Sequence, residues 1–356
     1  MEKNDDYTWK IILWLILFLC FGIIIIACKR GSSDYIMTVN GLADPSEMAV
    51  SLTHEHVLVD FSGADSIIFS HWDRDSVISA ILPYLLKVSE YGVNTFIECT
   101  PRYLGRDPVL LSELSKRTGM IFLTNTGYYG AHKRYLPASI KDRDASSLSQ
   151  DWTNEFLNGI EFTGIKPGFI KISVNPDDSL STEDTKLISA AAITHLSTGL
   201  TIVSHTGPGK PAFAQLEILG NYGVDPSAFI WVHAQGGTLE ENIEAAERGA
   251  WISLDNVRYR PDAEPGSQNS IEWYVERIVA LKNKGYLHKI LISHDSGWYD
   301  PSKPGGGEIN GYTDIFEYLV PLLRSKGFKQ DDIDQILVRN PAEAFTIKIR
   351  KITSNF

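Results

Sequence analysis

The chain has 356 residues, of which 43% are hydrophobic and 22% charged, as in globular proteins with a sizeable core, and this composition excludes a disordered chain. The formal net charge is −11 and no Lys/Arg-rich run stands out, so the acidic surface would repel phosphate backbones and we expect no nucleic-acid partner. Only Cys99 lies in the body of the chain, which excludes an intrachain disulfide framework and a zinc finger there.

The N-terminus contains an uncharged apolar run. Residues 11–27 read IILWLILFLCFGIIIIA, which is long for a signal-peptide core and short for a transmembrane helix. The run ends in Ile-Ile-Ala-Cys28, which resembles a bacterial lipoprotein signal, with the protein then facing the periplasm or cell surface. The alternative is an uncleaved single-pass inner-membrane helix, because Lys29 and Arg30 follow the run. We predict an anchoring segment over residues 1–28 and a polar tether over 29–36.

From about residue 37, short apolar, β-branched runs alternate with longer stretches of helical periodicity. Eight such runs occupy residues 51–60, 94–100, 121–128, 169–174, 200–206, 229–234, 251–256 and 290–296. Successive starts are separated by roughly 20 to 50 residues, which leaves room for one crossover helix each. The intervening segments 75–91, 183–197 and 239–247 have apolar spacing near that of a helix, and Gly199 and Gly249 are among the glycines that would end such helices.

Buried strands that alternate with helices indicate an α/β fold with a parallel sheet. Eight units in one domain, residues 37–356, predict a closed (β/α)8 TIM barrel. The alternative is an open doubly wound sheet, which would place a Gly-rich phosphate loop after the first strand. Residues 61–66 do not have that pattern, so we favour the barrel.

Polar residues typical of a metal site stand at the ends of these runs, where the active site of such a barrel lies. His54 and His56 are two residues apart, so both side chains project from the same face of one strand. Lys171 lies between two isoleucines, where burial of an ammonium is costly unless the side chain reaches water. His205, His233 and Asp295 end three further runs.

Each of these residues alone is more often a satisfied polar side chain than a ligand, but their joint placement predicts one binuclear site. A neutral lysine reacts with carbon dioxide to form a carbamate, which is a carboxylate-like bridging ligand. Four imidazoles and two carboxylate-type groups suit two divalent ions, with Zn²⁺ preferred and Mn²⁺ or Co²⁺ as alternatives. The predicted ligands are His54, His56, Lys171, His205, His233 and Asp295. A mononuclear deaminase-like barrel would not need Lys171.

Over residues 37 to about 349 the chain resembles the phosphotriesterase family of the amidohydrolase superfamily. The resemblance lies in LTHEH at 52–56, ECTPRYLGRD at 98–107, TGYY at 126–129, IK at 170–171, SHT at 204–206, VH at 232–233, ILISHD at 290–295 and NPA at 340–342.

The resemblance implies a role for each ligand. The more buried metal ion would be held by His54, His56 and Asp295, and the more exposed one by His205 and His233, with N-carboxylated Lys171 as the bridge. It also implies a metal-bridging hydroxide that attacks a carbonyl carbon or phosphorus, with Asp295 as the catalytic residue that takes up the proton.

The sequence departs from the family pattern around the expected substrate pocket. Organophosphate-hydrolysing members carry a carboxylate shortly after the strand-six histidine and a histidine after strand seven, and neither is evident here. Lactone-hydrolysing relatives often have an Arg directly after the strand-seven Asp, where this chain has Asn256, and Arg258 is the candidate substitute. Tyr129 and Trp298, the latter in a long Gly-rich loop, are the other pocket candidates. The alternatives are a plain core tyrosine and an ordinary surface loop.

These features favour a hydrolase of lactones or related carboxylic esters. One alternative is a phosphotriester or phosphodiester hydrolase, and another is a non-catalytic metal-binding protein tethered to a membrane surface. The expected partners are a small ester or lactone and the membrane, and the resemblance also implies a homodimer as one form of assembly.

Overall fold

The computed structural model describes residues 34–67 and 72–353. The predicted anchoring segment and nearly all of the predicted tether lie outside the described residues. Across the two described ranges, no helix is both long and apolar enough to cross a bilayer. From Tyr35 onward the chain forms one compact unit. Its first strand begins at Ile36, one residue before the domain boundary that we predicted.

The strands form a short hairpin followed by a parallel sheet. The hairpin consists of β1 (Ile36–Thr38) and β2 (Gly41–Ala43). The parallel strands are β3 (Val50–Glu55), β4 (Val93–Glu98), β5 (Ile121–Leu123), β6 (Asn125–Thr126), β7 (Phe169–Ser173), β8 (Thr201–His205), β9 (Phe229–Val232), β10 (Trp251–Leu254) and β11 (Ile290–Ile292). Hydrogen-bonded ladders join β3 to β4 and β4 to β5. A second set of ladders joins each strand from β6 to β11 to the next one along the chain.

The sheet closes on itself. β5 and β6 are two parts of one barrel strand, interrupted only at Thr124, and this strand links the two ladders. At the other seam, the backbone N–H of Asp295 donates to His54 O over 3.1 Å, and that of His56 donates to Ser296 O over 2.9 Å. The first and last barrel strands are therefore neighbours, and the predicted (β/α)8 TIM barrel is confirmed.

Most of the helices cover the outside of the barrel and begin at a side-chain cap, and the last one closes its amino end. They are α1 (Arg74–Ser89), α2 (Pro108–Thr118), α3 (Ala145–Asn158), α4 (Thr182–Thr198), α5 (Gly209–Asn221), α6 (Leu239–Glu247), α7 (Ile271–Asn283), α8 (Val320–Ser325), α9 (Gln330–Asp334) and α10 (Asn340–Phe345). Ser181 and Thr238 close capping boxes that satisfy the first N–H groups of α4 and α6. Gly199 ends α4 at φ 81°, a left-handed conformation that favours glycine.

The amino end of the barrel is plugged, whereas the carboxyl end is open. The ring of Phe345 packs edge-on against Phe169 inside the barrel, with ring centroids 5.5 Å apart. The side-chain amide of Asn340 donates to Ile290 O over 2.7 Å, and the hydroxyl of Thr201 donates to Ala344 O over 2.5 Å. Because α10 fills this end, the open end in the described part of the barrel is the opposite one, where the strands lead into loops.

The strands are shorter than the apolar runs that predicted them. The run at 51–60, for example, pairs as a strand only over Val50–Glu55. Past the last paired residue the chain must turn outward to enter a helix, so the polar ends of the runs leave the ladder. Three of them do so with positive φ, His233 at 59°, Asn256 at 74° and Asp295 at 53°. Such conformations are costly for residues other than glycine and concentrate at functional sites.

Candidate metal centre

The predicted ligands converge at the open end of the barrel. Nε2 of His56 lies 3.0 Å from Oδ1 of Asp295, and Nε2 of His54 lies 3.8 Å from the same oxygen. One ligand atom from each of these residues fits within 4.8 Å of the others. On the far side, Nε2 of His233 lies 2.8 Å from Nδ1 of His205 and 3.9 Å from Oδ2 of Asp295.

Asp255, at the end of β10, sets the tautomers of two of these imidazoles. Its Oδ2 accepts from Nδ1–H of His54 over 3.0 Å, and its Oδ1 accepts from Nδ1–H of His233 over 2.5 Å. With both Nδ1 atoms protonated, each ring presents the lone pair of Nε2 to the cavity. His54, His233 and Asp255 also form a compact group of potential ligands, but these contacts show that Asp255 orients the histidines from behind.

The other two imidazoles are oriented in the same way by hydroxyl groups. Nδ1–H of His56 donates to Oγ1 of Thr100 over 2.8 Å, and that hydroxyl in turn donates to Leu58 O over 2.9 Å. Nε2 of His205 lies 3.2 Å from the hydroxyl of Tyr129. Each histidine therefore has one nitrogen engaged and the other facing the cavity, as metal-ligating histidines do.

The protonation of the imidazoles follows from burial and from Asp255. Burial lowers the pKa of His54 to about 4, with a further contribution from the charge of Lys171, and it lowers that of His205 well below the usual value. Burial opposes a charge on His233 as well, but the ion pair with Asp255 outweighs it and raises the pKa of His233. The nitrogens of His205 and His233 face each other at 2.8 Å, where two lone pairs repel unless a proton or a cation lies between them.

Asp295 remains an anion in this setting. Burial disfavours its ionised form, but attraction to His54, a hydrogen bond from His56 and attraction to His233 outweigh burial and hold the pKa of Asp295 well below its usual value. The ionised carboxylate is the form of Asp295 that can bind a metal ion.

The side chain of Lys171, on β7, extends to the same cluster of candidate ligands. Its side chain is 2% exposed, and Nζ lies 3.2 Å from Nε2 of His54. Within the described part of the chain, no carboxylate lies within ion-pair distance of this amine. Burying an ammonium without an anionic partner costs free energy, whereas a neutral amine, or a carbamate bound to cations, can be buried at this position.

The sequence prediction missed two residues that support the site. One of them is Glu55, a charged residue inside the first apolar run. It stands between His54 and His56, so it points to the other side of the strand. There Oε1 accepts from the hydroxyl of Ser293 over 2.7 Å and from Nδ1–H of His294 over 2.7 Å, while Oε2 accepts from the N–H of Ser296 over 2.9 Å. Glu55 thereby holds the segment that carries Asp295. The other is Asp255, a charged residue that ends an apolar run.

Replacing Glu55 with glutamine is expected to lower the free energy of unfolding by about 2–4 kcal/mol, because an amide N–H₂ would face the donor on Ser296. Urea unfolding of the purified protein measures the change. The control is Glu244→Gln, which removes only an exposed ion pair with Arg248 and should cost at most about 1 kcal/mol. Equal effects of the two variants would contradict the positioning role of Glu55.

The predicted pocket residues surround two adjoining cavities. Tyr129 lines a cavity of about 220 Å³ together with Lys171 and the four histidines. Arg258 lines a second cavity of about 430 Å³. Trp298 borders both cavities, and its ring packs edge-on against that of His56 at 5.6 Å. Trp298 adopts φ 69°, so the loop after the last strand holds this ring over the centre in a strained backbone conformation.

The second cavity is polar. Besides His233, Asp295 and Trp298, it is lined by one guanidinium and several side-chain amides, namely Arg258, Gln235, Asn256, Gln268, Asn269 and Asn310. Arg258 donates to the hydroxyl of Ser296 over 3.3 Å, and among the described residues no carboxylate pairs with it. The carboxylate and histidine of organophosphate-hydrolysing relatives were not evident in the sequence, and Gln235 and Asn256 line the cavity in this region.

Comparisons with known proteins agree with this architecture. The phosphotriesterase family matches residues 34–345. Phosphotriesterase homology protein from Escherichia coli K12 is 28% identical over 299 residues, covering 83% of this chain and 97% of that protein. N-acetyltaurine hydrolase from Mus musculus is 26% identical, covering 89% of this chain and 99% of that protein.

Solved structures give the same result. Organophosphorus hydrolase from Deinococcus radiodurans superposes with a TM-score of 0.78 at 26% identity, covering 89% of this chain and 98% of that chain. The E. coli phosphotriesterase homology protein, solved with phosphate in its active site, superposes with a TM-score of 0.71 at 26% identity over 84% of this chain and 99% of that chain. That relative consists almost entirely of the matched barrel, so a barrel of this kind folds without an added segment. With a family match over most of its length and relatives that align nearly end to end, this chain belongs to the phosphotriesterase family of hydrolases.

Proposed function

We propose that the protein is a metal-dependent hydrolase that cleaves a small lactone or related carboxylic ester. The observation that supports this most is the convergence of four oriented imidazole nitrogens on Asp295 and Lys171 at the base of an open cavity. A barrel that served only as a binding protein would not need such a complete set of donors.

The donor set fits two divalent ions. His54, His56 and Asp295 would hold one, and His205 and His233 the other, with carboxylated Lys171 between them. Imidazoles and carboxylate oxygens in these numbers suit Zn²⁺, and Mn²⁺ and Co²⁺ are alternatives. When bound, such ions acidify water and polarise a substrate oxygen.

The protein's own residues supply the remaining chemistry. Asp295 is ionised and borders both cavities, so it is placed to accept the proton of an attacking water. Tyr129 and Trp298 are among the residues that line the small cavity of about 220 Å³.

A substrate panel tests the proposal. Purified protein loaded with Zn²⁺ or Mn²⁺ would be assayed with γ- and δ-lactones, sugar lactones, and one aryl phosphotriester. Lactone turnover that disappears with a chelator and returns with metal supports the proposal. Turnover of the phosphotriester alone would favour the phosphotriesterase alternative, and metal binding without any turnover would favour a binding protein.

A second candidate is the hydrolysis of an N-acyl amide whose amine part carries an anion. Relatives named N-acetyltaurine hydrolase align over 89% of this chain. The observation that favours this candidate is Arg258, a cation that has no acidic partner within residues 34–67 and 72–353 and lines the cavity next to the candidate metal centre. A sulfonate or carboxylate at the end of a substrate would accept charge-assisted hydrogen bonds from its guanidinium.

Replacing Arg258 with alanine distinguishes the two candidates. For N-acetyltaurine or an N-acetyl amino acid, we expect KM to rise by about 10- to 100-fold, because one charged hydrogen-bond donor is lost. For a neutral lactone we expect little change. Michaelis–Menten kinetics on both substrate types give the answer, with Arg258→Lys as the matched variant that keeps the charge. An equal loss on neutral and anionic substrates would contradict an anion-binding role.

The membrane anchor remains part of the proposal. The lipoprotein interpretation expects that Cys28→Ala abolishes incorporation of a labelled fatty acid and leaves a larger, uncleaved chain. Unchanged size and membrane retention without label would favour the uncleaved helix.

A further inference from the structure

A strip of basic and aliphatic residues follows the last helix. After α10 the chain continues through Lys348-Ile349-Arg350-Lys351-Ile352, which we call the basic strip. Lys348 and Lys351 are exposed, and Ile349 and Ile352 are 46% and 49% exposed. The strip thus places exposed cations beside exposed isoleucines on a chain with a net charge of −11. The family match ends at residue 345, just before the strip.

The basic strip is fixed to the barrel by its backbone. The N–H of Lys348 donates to Gly199 O over 3.0 Å, that of Arg350 donates to Nε2 of His195 over 3.0 Å, and that of Ile352 donates to Gly223 O over 3.0 Å. Because alternate N–H groups are bonded in this way, the strip presents its side chains in a defined arrangement.

The strip and the metal centre lie at opposite ends of the barrel. Strand β8 connects the two regions. Its first residue, Thr201, donates to Ala344 O in the plug at the amino end, and its last residue is His205 of the metal centre. At about 3.3 Å per residue, the strand spans roughly 13 Å. Gly199, which holds Lys348, precedes this strand.

The described chain begins beside the strip. The N–H of Ile347 donates to Tyr35 O over 2.9 Å. The apolar run that we predict as an anchor ends at residue 27, and residues 28–34 reach at most about 25 Å when fully extended. The described chain therefore starts at the same end of the barrel as the basic strip.

The charges around the strip favour an anionic partner. Lys289 adds a fourth cation to Lys348, Arg350 and Lys351, since Lys289 and Arg350 influence each other electrostatically. The acidic residues that act on Lys289 are Asp225 and Glu343, and the exposed Asp34 lies next to Tyr35, which accepts from Ile347. The carboxylate of Asp225 already accepts from the N–H and hydroxyl of Ser227. The cations thus outnumber the acids locally, opposite to the balance of the whole chain.

We propose that the basic strip is a membrane-contact surface that binds anionic lipid headgroups. Cations near an anionic leaflet are attracted to it, and Ile349 and Ile352 would enter the interfacial region. The barrel would then lie with its amino end on the bilayer and its metal centre open toward the water. This inference goes beyond the proposed hydrolase function and does not depend on it.

Binding of the isolated barrel to vesicles tests this inference. Residues 35–356 form one compact unit, and a relative that is nearly all barrel folds by itself. This fragment would be sedimented with vesicles of phosphatidylcholine alone or of equimolar phosphatidylcholine and phosphatidylglycerol. We expect binding only to the anionic vesicles, and its loss at about 1 M NaCl, where the Debye length is about 3 Å.

Two variants locate the contact. Lys348→Gln with Lys351→Gln is expected to weaken partitioning by about 30-fold, since each basic residue near an anionic surface contributes about a factor of five. The matched control, Lys133→Gln with Lys303→Gln, removes the same charge from loops at the carboxyl end and should leave binding unchanged. Thermal unfolding would check that both variants are folded.

Three outcomes would overturn the proposal. They are no binding of the unaltered fragment to anionic vesicles at low salt, equal losses in the strip variant and the control variant, and equal affinity for a short DNA duplex. The last would show a patch for polyanions in general.

Discussion

Replacing Lys171 with methionine is expected to remove about one metal equivalent per chain and to lower turnover by at least about 100-fold. Methionine fills nearly the same volume, so the 2% exposed site would not collapse into a cavity, but it cannot form a carbamate. The imidazoles and Asp295 would still offer donors for one ion, because His54, His56 and Asp295 form a compact group without Lys171.

Metal content after loading and dialysis, measured by plasma mass spectrometry, gives the first readout. The matched control is Lys133→Met, an exposed lysine in a loop at the same end of the barrel, which should keep full metal content. Protein loaded under ¹³C-labelled bicarbonate should also show a carbamate resonance that is missing from Lys171→Met. Unchanged metal content in Lys171→Met would contradict a binuclear site bridged by this residue and would favour a mononuclear barrel.

Replacing Asp255 with asparagine is expected to weaken metal affinity by about 10- to 100-fold, although Asp255 is not among the predicted ligands. The carboxylate accepts from Nδ1–H of both His54 and His233, and also from the hydroxyl of Ser253 over 2.8 Å. An amide has a single acceptor oxygen, so one imidazole would lose its partner. That ring would be free to rotate or to change tautomer, and its Nε2 lone pair would no longer face the cavity.

Competition with a chromogenic chelator measures the metal affinity, and kcat/KM is measured on the same protein samples. Asp178→Asn, which alters an exposed carboxylate that pairs with Lys210, is the control and should leave affinity unchanged. Asp255→Glu should recover part of the loss because it restores two acceptor oxygens. Normal metal affinity in Asp255→Asn would show that the histidines are oriented by the barrel alone.

The clustering of the candidate ligands was predictable because these residues stand at the ends of strands. His54 and His56 are two residues apart on one strand, and His205, His233 and Asp295 end apolar runs, so barrel geometry alone brings them to one place. The eight runs also predicted the barrel, since a buried parallel strand is a short, apolar, β-branched segment. The bridging role of Lys171 rests on the family resemblance, and the structure adds its burial and its contact with His54.

The supporting contacts depended on the tertiary structure, because they join residues far apart in the chain. Asp255 and His54 are hydrogen-bonded although they are 201 residues apart in the chain, and Glu55 and His294 are 239 residues apart. A local sequence pattern does not predict such contacts. The left-handed turns at His233 and Asp295 and the position of Arg258 beside the metal centre likewise follow from how the loops close. By itself the sequence determined the fold class and the candidate ligands, since both depend on local periodicity. Only the packed barrel decided how each imidazole is oriented and which end carries the basic strip, because these follow from contacts that form when the sheet closes.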